Sequence, residues 1–156
     1  MEHLWAPWRM QYINKIHTSG CFLCQAIESD NDEDHCILVR GKQSIVIMNI
    51  YPYNSGHLMV APIQHTGEMG DLPEQNMLEL FAMINIYKNK IQKTMNPDGF
   101  NIGMNLGRSA GAGLLDHLHI HIVPRWNGDT NFLPVLGETK VLPQSIKDTY
   151  QLLKNA

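Results

Sequence analysis

His117-Leu118-His119-Ile120-His121-Ile122-Val123 alternates three histidines with apolar residues. In an extended strand successive side chains point to opposite faces, so the three imidazoles share one face while Leu118, Ile120 and Ile122 share the other. A helix would spread the same histidines over roughly 200° of its circumference, because each residue advances the chain by about 100°. The spacing therefore predicts a strand with one face in the core and the other available for chemistry. A lone strand histidine is ordinarily a solvated or hydrogen-bonded residue. Three in strict alternation, beside a glycine-rich loop at 107–113, point to a site.

Upstream of this stretch, short apolar runs at 36–39, 44–50 and 57–63 read as strands bounded by turn residues. Arg40-Gly41-Lys42 closes a hairpin between the first two, and Tyr51-Pro52-Tyr53-Asn54-Ser55-Gly56 joins the second to the third. Short connections imply antiparallel pairing, the start of a meander. From 71 to 95 the period changes: Met77, Phe81, Ile84, Tyr87, Ile91 and Met95 recur every three or four residues, the apolar stripe of one long helix. Asp71 followed by Glu74 resembles a capping box, and Asn96-Pro97-Asp98-Gly99 ends the helix. A fourth strand is expected at 100–105. Shorter helices are expected at 21–28, capped near Ser19 or Gly20, and at 143–153. Ser29-Asp30-Asn31-Asp32-Glu33-Asp34 reads as an exposed acidic turn. Trp5, Trp8 and Tyr12 mark residues 4–13 as an arm that packs on the body or on a partner subunit.

A length of 156 residues suits one domain with a single core. Twelve Lys and Arg against 15 Asp and Glu leave a net charge of −3, unlike the footprint of a protein that binds long nucleic acid. The longest apolar runs, such as Ile45-Val46-Ile47-Met48, fall far short of the roughly 18 residues that span a bilayer. The first residues lack the apolar segment of a secretory signal, which predicts a cytoplasmic protein without a membrane partner. Three cysteines, with Cys21 and Cys24 in a C-x-x-C pair, fit metal or redox use better than a disulfide framework. The pair could also be reduced and metal-free.

The stretch from His117 to Val123 matches every position of His-φ-His-φ-His-φ-φ, with φ apolar, and so resembles the signature of the histidine triad (HIT) superfamily. The resemblance extends to Asn49, to Ser55-Gly56-His57 and to Cys21 and Cys24, over roughly 20–125. With Trp5-Ala6-Pro7-Trp8-Arg9, Asn101-Ile102-Gly103-Met104-Asn105-Leu106-Gly107 and Pro124-Arg125-Trp126-Asn127-Gly128-Asp129, the chain looks more like a bacterial branch associated with diadenosine tetraphosphate phosphorylase or hydrolase activity. Branches that bind single nucleosides resemble Gly-Gln-Ser or Gly-Gln-Thr before the triad. Here Gly111-Ala112-Gly113 stands instead, which favours the polyphosphate branch.

The resemblance implies an α+β fold: a five-stranded antiparallel sheet with one long helix and shorter helices, dimerising so that two sheets become continuous. It implies one HIT domain over 1–156, with an arm at about 1–19, a core at about 20–125 and an extension at about 126–156. The activity implied is nucleotidyl transfer from a dinucleoside polyphosphate, with phosphate or water as acceptor. His119 is the implied nucleophile at an α-phosphate and His121 a partner of the transferring phosphate or leaving group. The expected substrate contacts are Asn49 at the ribose, Asn105 at the phosphates and the loop residues Gly111, Ala112 and Gly113, whose small side chains let backbone N–H groups approach an anion. Cys21, Cys24, His65 and His117 reproduce the two-cysteine, two-histidine pattern of zinc-bearing members. Four protein ligands would make a closed, structural zinc site with no organic cofactor. His35 and Cys36 are alternative ligands. Rival readings are a nucleoside phosphoramidate or acyl-adenylate hydrolase, a nucleotide-binding regulator and a C-x-x-C oxidoreductase.

Overall fold

The sheet begins as a meander of three strands, β1 (Ile37–Arg40), β2 (Ser44–Met48) and β3 (Leu58–Pro62), joined by short turns as their spacing predicts. The computed structural model describes residues 20–130 and 141–156; the arm with Trp5, Trp8 and Tyr12, the possible cap at Ser19 and part of the extension lie outside the described residues. After β3 the chain crosses the sheet as the long helix α2 (Glu74–Met95) and returns in β4 (Gly99–Gly103). The histidine strand, β5 (Ile120–Arg125), then inserts between β3 and β4, giving the order β1-β2-β3-β5-β4 with every pair antiparallel. Two shorter helices, α1 (Phe22–Glu28) and α3 (Ile146–Lys154), complete the described elements. This is the expected α+β architecture. No helix among the described residues is long and apolar enough to cross a membrane.

Both faces of the sheet are covered at β2 and β3, so these strands are buried at every position rather than at alternate ones. On one face Val46, Met48, Leu58, Val60, Leu118, Ile120 and Ile122 pack with Leu80, Ile84, Tyr87 and Ile91 of α2. On the other, Ile45, Ile47, Met59 and Ala61 pack with Leu23 and Ala26 of α1. The cross-strand register settles where the histidines go: Val60 opposes Ile120 and Leu58 opposes Ile122 on the α2 face, while Met59 opposes His121 on the α1 face. Burying each such aliphatic side chain favours this register by about 1.5–3 kcal/mol, and a one-residue slip would turn the imidazoles into the α2 core.

Helix α2 departs from its expected stripe in one position. Leu80, rather than Phe81, lines up with Ile84, Tyr87 and Ile91, and Phe81 is 58% exposed. Spacings of three and four admit either residue; packing against β2 and β3 selects the one. The expected capping box is also absent. Pro73 is the N-cap residue, and Asp71 lies in a short three-ten turn where it accepts a hydrogen bond from the Thr66 hydroxyl (2.9 Å). Asn96 ends the helix in the left-handed conformation, as the Asn-Pro-Asp-Gly text predicts.

Helix α1 is only seven residues long, and Arg40 of β1 fastens its C-terminal end. The guanidinium donates to the carbonyls of Ala26 (3.0 Å), Ile27 (2.7 Å) and Ser29 (2.7 Å), and its Nε pairs with Asp32. Free carbonyls at a helix end need such donors, and a cation there also complements the helix dipole. The cap at the other end is Cys21 itself, whose Sγ accepts from the Cys24 N–H. The C-x-x-C pair is thereby placed at the first turn of a helix anchored to the sheet.

Candidate functional site

His117 and His119 lie just before the paired part of β5 and His121 within it; all three are buried. Leu118 N–H donates to Thr66 O (2.7 Å), pinning this segment to the hinge that follows β3. Side-chain hydrogen bonds then assign a tautomer and a task to each histidine.

His117 donates Nε2–H to Pro62 O (2.8 Å), so its Nδ1 carries the lone pair. That Nδ1 points into a cluster with Cys21 Sγ (3.2 Å), Cys24 Sγ (3.5 Å) and His65 Nδ1 (3.2 Å), and Cys24 Sγ lies 3.2 Å from His65 Nδ1. All four donor atoms fall within 4.8 Å of one another. A tetrahedral zinc ion with ordinary bond lengths would separate sulfur from nitrogen by roughly 3.5 Å and nitrogen from nitrogen by roughly 3.3 Å. The cluster matches those spacings, and the Pro62 carbonyl is the outer partner that orients a metal-bound imidazole. These four residues therefore form a cluster able to hold a metal ion. Burial, together with the hydrogen bond and charge of Cys21 and the charge of Glu28, pushes the Cys24 thiol up to about 11. That is the reverse of a reactive redox thiolate and opposes the oxidoreductase reading. Burial likewise lowers the pKa of His117, against the pull of its bond to Pro62.

His119 donates Nδ1–H to the backbone carbonyl of His117 (2.9 Å), leaving the lone pair on Nε2. Burial depresses its pKa below the ordinary imidazole value of 6.5, outweighing that hydrogen bond, so the ring is neutral at neutral pH. A neutral imidazole with a fixed lone pair is what nucleophilic attack requires. Its ring and that of His121 meet in a T-shaped pair, with centroids 4.9 Å apart.

His121 is oriented by a residue whose role sequence reasoning missed. Fully buried His57, at the mouth of β3, accepts the Tyr53 N–H on Nδ1 (3.0 Å), so its proton lies on Nε2 and is donated to His121 Nδ1 (2.9 Å). When neutral, His121 then carries its own proton on Nε2. Tyr53 stacks at a tilt on His57 (4.7 Å between centroids) and on His121 (5.8 Å). The text Ser55-Gly56-His57 held no periodicity that could have revealed this pairing across 64 residues. Across β4, Gly103 opposes His121, and the space above this glycine is open.

The remaining predicted residues divide. Asn49 is buried at the end of β2 and is knit to His57, donating its N–H to His57 O (3.0 Å), while its Oδ1 accepts the Tyr51 N–H (2.8 Å). Asn105 follows β4 by two residues and is half-buried; no hydrogen bond among the described residues joins it to the histidines. The glycine loop forms a three-ten turn at Arg108–Ala110. Within this turn the amides of Gly111 and Ala112 donate to Arg108 O (2.9 Å) and Gly107 O (3.3 Å). Gly113 leads from this turn to Leu114, which packs beside α1.

The HIT domain model matches residues 31–128, a span that holds all of the histidine geometry above but stops short of the C-x-x-C pair. The chain belongs to the HIT domain family. A curated relative, "AP-4-A phosphorylase" of Mycobacterium tuberculosis, is 40% identical over 98% of this chain and 83% of its own length. Among solved structures, a hypothetical histidine triad nucleotide-binding protein of Sulfolobus tokodaii superposes with a TM-score of 0.67 at 27% identity, over 86% of this chain and 87% of that one. A zinc-bound histidine triad family protein of Mycobacterium smegmatis shares the fold with a TM-score of 0.70 at 24% identity, covering 87% and 91% of the two chains.

Proposed function

We propose that this HIT protein is a nucleotidyl-transferring enzyme that cleaves dinucleoside polyphosphates, diadenosine tetraphosphate foremost, through His119. The observation that carries the reading is the hydrogen bond from His119 Nδ1–H to His117 O, which leaves Nε2 unprotonated in a buried, neutral ring. The substrate class is supported by the name of the mycobacterial phosphorylase, to which this chain is similar over nearly its whole length.

In the first step His119 Nε2 attacks an α-phosphorus, forming a P–N bond as the P–O bond to the remaining nucleotide breaks. His121, held with its proton on Nε2 by His57, hydrogen-bonds the transferring phosphoryl group or the departing oxygen. In the second step inorganic phosphate attacks the nucleotidyl-histidine, so that diadenosine tetraphosphate and phosphate yield ATP and ADP. Dividing the transfer into two displacements lets one positioned imidazole serve both. Asn49 meets the ribose hydroxyls. Asn105, Gly111, Ala112 and Gly113 border the phosphates, Gly111 and Ala112 by shape rather than by their amides, which the turn uses.

The metal cluster is read as a closed zinc site held by Cys21, Cys24, His65 and His117. Four protein ligands would leave no coordination position for substrate, so a bound ion would supply a structural tie. This chain's own residues, His117 with Pro62 and Thr66, hold the segment that carries His119. A homodimer is part of the same reading. The outer edge of β4 is exposed at Asn101, Ile102 and Gly103, and the outward face of α2 presents Leu78 (65% exposed), Phe81 (58%) and Ile86 (51%), surfaces that pairing of two copies would cover.

Incubation with diadenosine tetraphosphate with and without phosphate tests the reaction. ATP and ADP formed only with phosphate identify a phosphorylase, and ATP with AMP identifies a hydrolase. Undiminished turnover by His119→Ala would sink the assignment of the nucleophile.

A further inference from the structure

The text Pro124-Arg125-Trp126-Asn127-Gly128-Asp129 lies beyond the triad, yet its last residue is tied back to the histidine site. Asp129 accepts hydrogen bonds on its carboxylate from Arg125 Nε and NH2, from Trp126 N–H (3.3 Å) and from the side-chain amide of Asn54 (2.8 Å). Asn54 is itself buried, and its Nδ2 also donates to Pro124 O (3.0 Å). Both amide protons of Asn54 therefore join the 49–57 loop to the end of β5. Arg125 extends the link to β4 by donating to Asn101 Oδ1 (2.6 Å).

The loop so anchored is the one that sets the tautomer of His57. Asn54 O accepts the His57 N–H (3.2 Å), and one residue earlier the Tyr53 N–H donates to His57 Nδ1. A loop held at Asn54 keeps that amide aimed at the ring. If the loop shifted by an ångström, His57 Nδ1 would lose its donor and the two neutral tautomers would become closer in energy. The proton now given to His121 would then no longer have a fixed location. Gly56 lets the loop turn at φ +77° close against Met95 and Pro124, a path that a residue with a Cβ would not follow.

We propose that Asn54 and Asp129 are positioning residues for the transfer reaction. Through the 49–57 loop they hold the Tyr53 amide on His57, and so determine which nitrogen of His121 carries the proton. This rests on the reading of His121 as a partner of the transferring phosphate. Neither residue touches the reacting atoms. Their effect travels by three hydrogen bonds: Asp129 to Asn54, Tyr53 to His57 and His57 to His121.

The test combines kinetics with histidine 15N NMR on the full-length protein. Asn54→Ala and Asp129→Ala should each lower kcat for diadenosine tetraphosphate about 10- to 100-fold with KM changed less than about threefold. In the nucleotide-free protein, the two-bond 1H–15N pattern of His121 should change from a single Nε2–H form to a tautomer mixture. Asp129→Asn keeps the side-chain volume but exchanges an acceptor oxygen for a donor; it should move both readouts in the same direction by a smaller amount, and decides the matter if the alanine variants do not fold. An unchanged His121 pattern in a folded variant overturns the proposal, whether or not kcat falls. So does a kcat within twofold of wild type. A wild-type protein inactive on every dinucleoside polyphosphate overturns the functional reading instead, and the NMR pattern still decides the tether.

Discussion

His57 Nε2 lies 2.9 Å from His121 Nδ1, and because the Tyr53 amide occupies His57 Nδ1, the proton of that bond belongs to His57. A histidine outside the triad thus decides how the third member of the triad presents itself. His57→Ala should reduce kcat by about 10²-fold or more, in the range typical of lost acid–base assistance, while KM moves little. Steady-state kinetics on diadenosine tetraphosphate check this. A kcat within threefold of wild type would remove His57 from the site.

The four-residue cluster predicts close to one equivalent of zinc per chain in purified protein, measured by elemental analysis. Because the Cys24 thiol is held up near 11 without metal, binding must displace its proton, so affinity rises with pH and protons are released. Calorimetric zinc titrations between pH 6 and 8 in buffers of different ionisation enthalpy measure both. Cys24→Ser should lose the metal and lower Tm. Zinc below a tenth of an equivalent would contradict the closed site.

Glu79 joins α2 to the β1–β2 turn, accepting from the Gln43 N–H (2.9 Å) and the Ser44 hydroxyl (2.7 Å). Burial would raise its carboxyl pKa, but these hydrogen bonds and those from the Lys42 and Ser44 amides outweigh it and hold the group below its ordinary value of 4.5. A carboxyl depressed in the folded state stabilises the protein above the unfolded pKa, and this contribution is lost as pH falls through the folded value. Glu79→Gln should therefore cost roughly 1–2 kcal/mol at pH 7, the scale of charge-assisted hydrogen bonds, and less at pH 3. Urea melts at the two pH values compare them; an equal loss at both would contradict the role of the charge.

Gly56 combines φ +77° with no room for a side chain: a Cβ would stand 2.8 Å from Met95 Sδ and 3.2 Å from Pro124 Cγ. Gly56→Ala should destabilise the protein by about 1–3 kcal/mol through left-handed strain and overpacking. A Tm unchanged within one degree would show that the loop relaxes freely.

Much of this was legible in the residues. The alternation of His117 to Val123 dictated imidazoles on one side and Leu118, Ile120 and Ile122 on the other, although the paired strand itself begins only at Ile120. The four metal-cluster residues were named together through a family resemblance, and the fold does converge them. Helix α2 was placed by its period, but not the choice between Leu80 and Phe81, because a 3.6-residue repeat defines a stripe without saying which edge of it meets the sheet. The Asp71 cap failed for a related reason: Thr66 competes for that carboxylate, and the competition exists only once the hinge after β3 is folded.

By itself, then, the sequence determined the histidine strand and the long helix, while a family resemblance named His119 as the candidate nucleophile. Tertiary structure alone decided the protonation pattern: His117 turned to the metal cluster by Pro62, His119 by the His117 carbonyl, and His121 by His57. Where an imidazole holds its proton depends on the acceptor or donor within 3 Å of each nitrogen, and two of those partners come from residues more than fifty positions away.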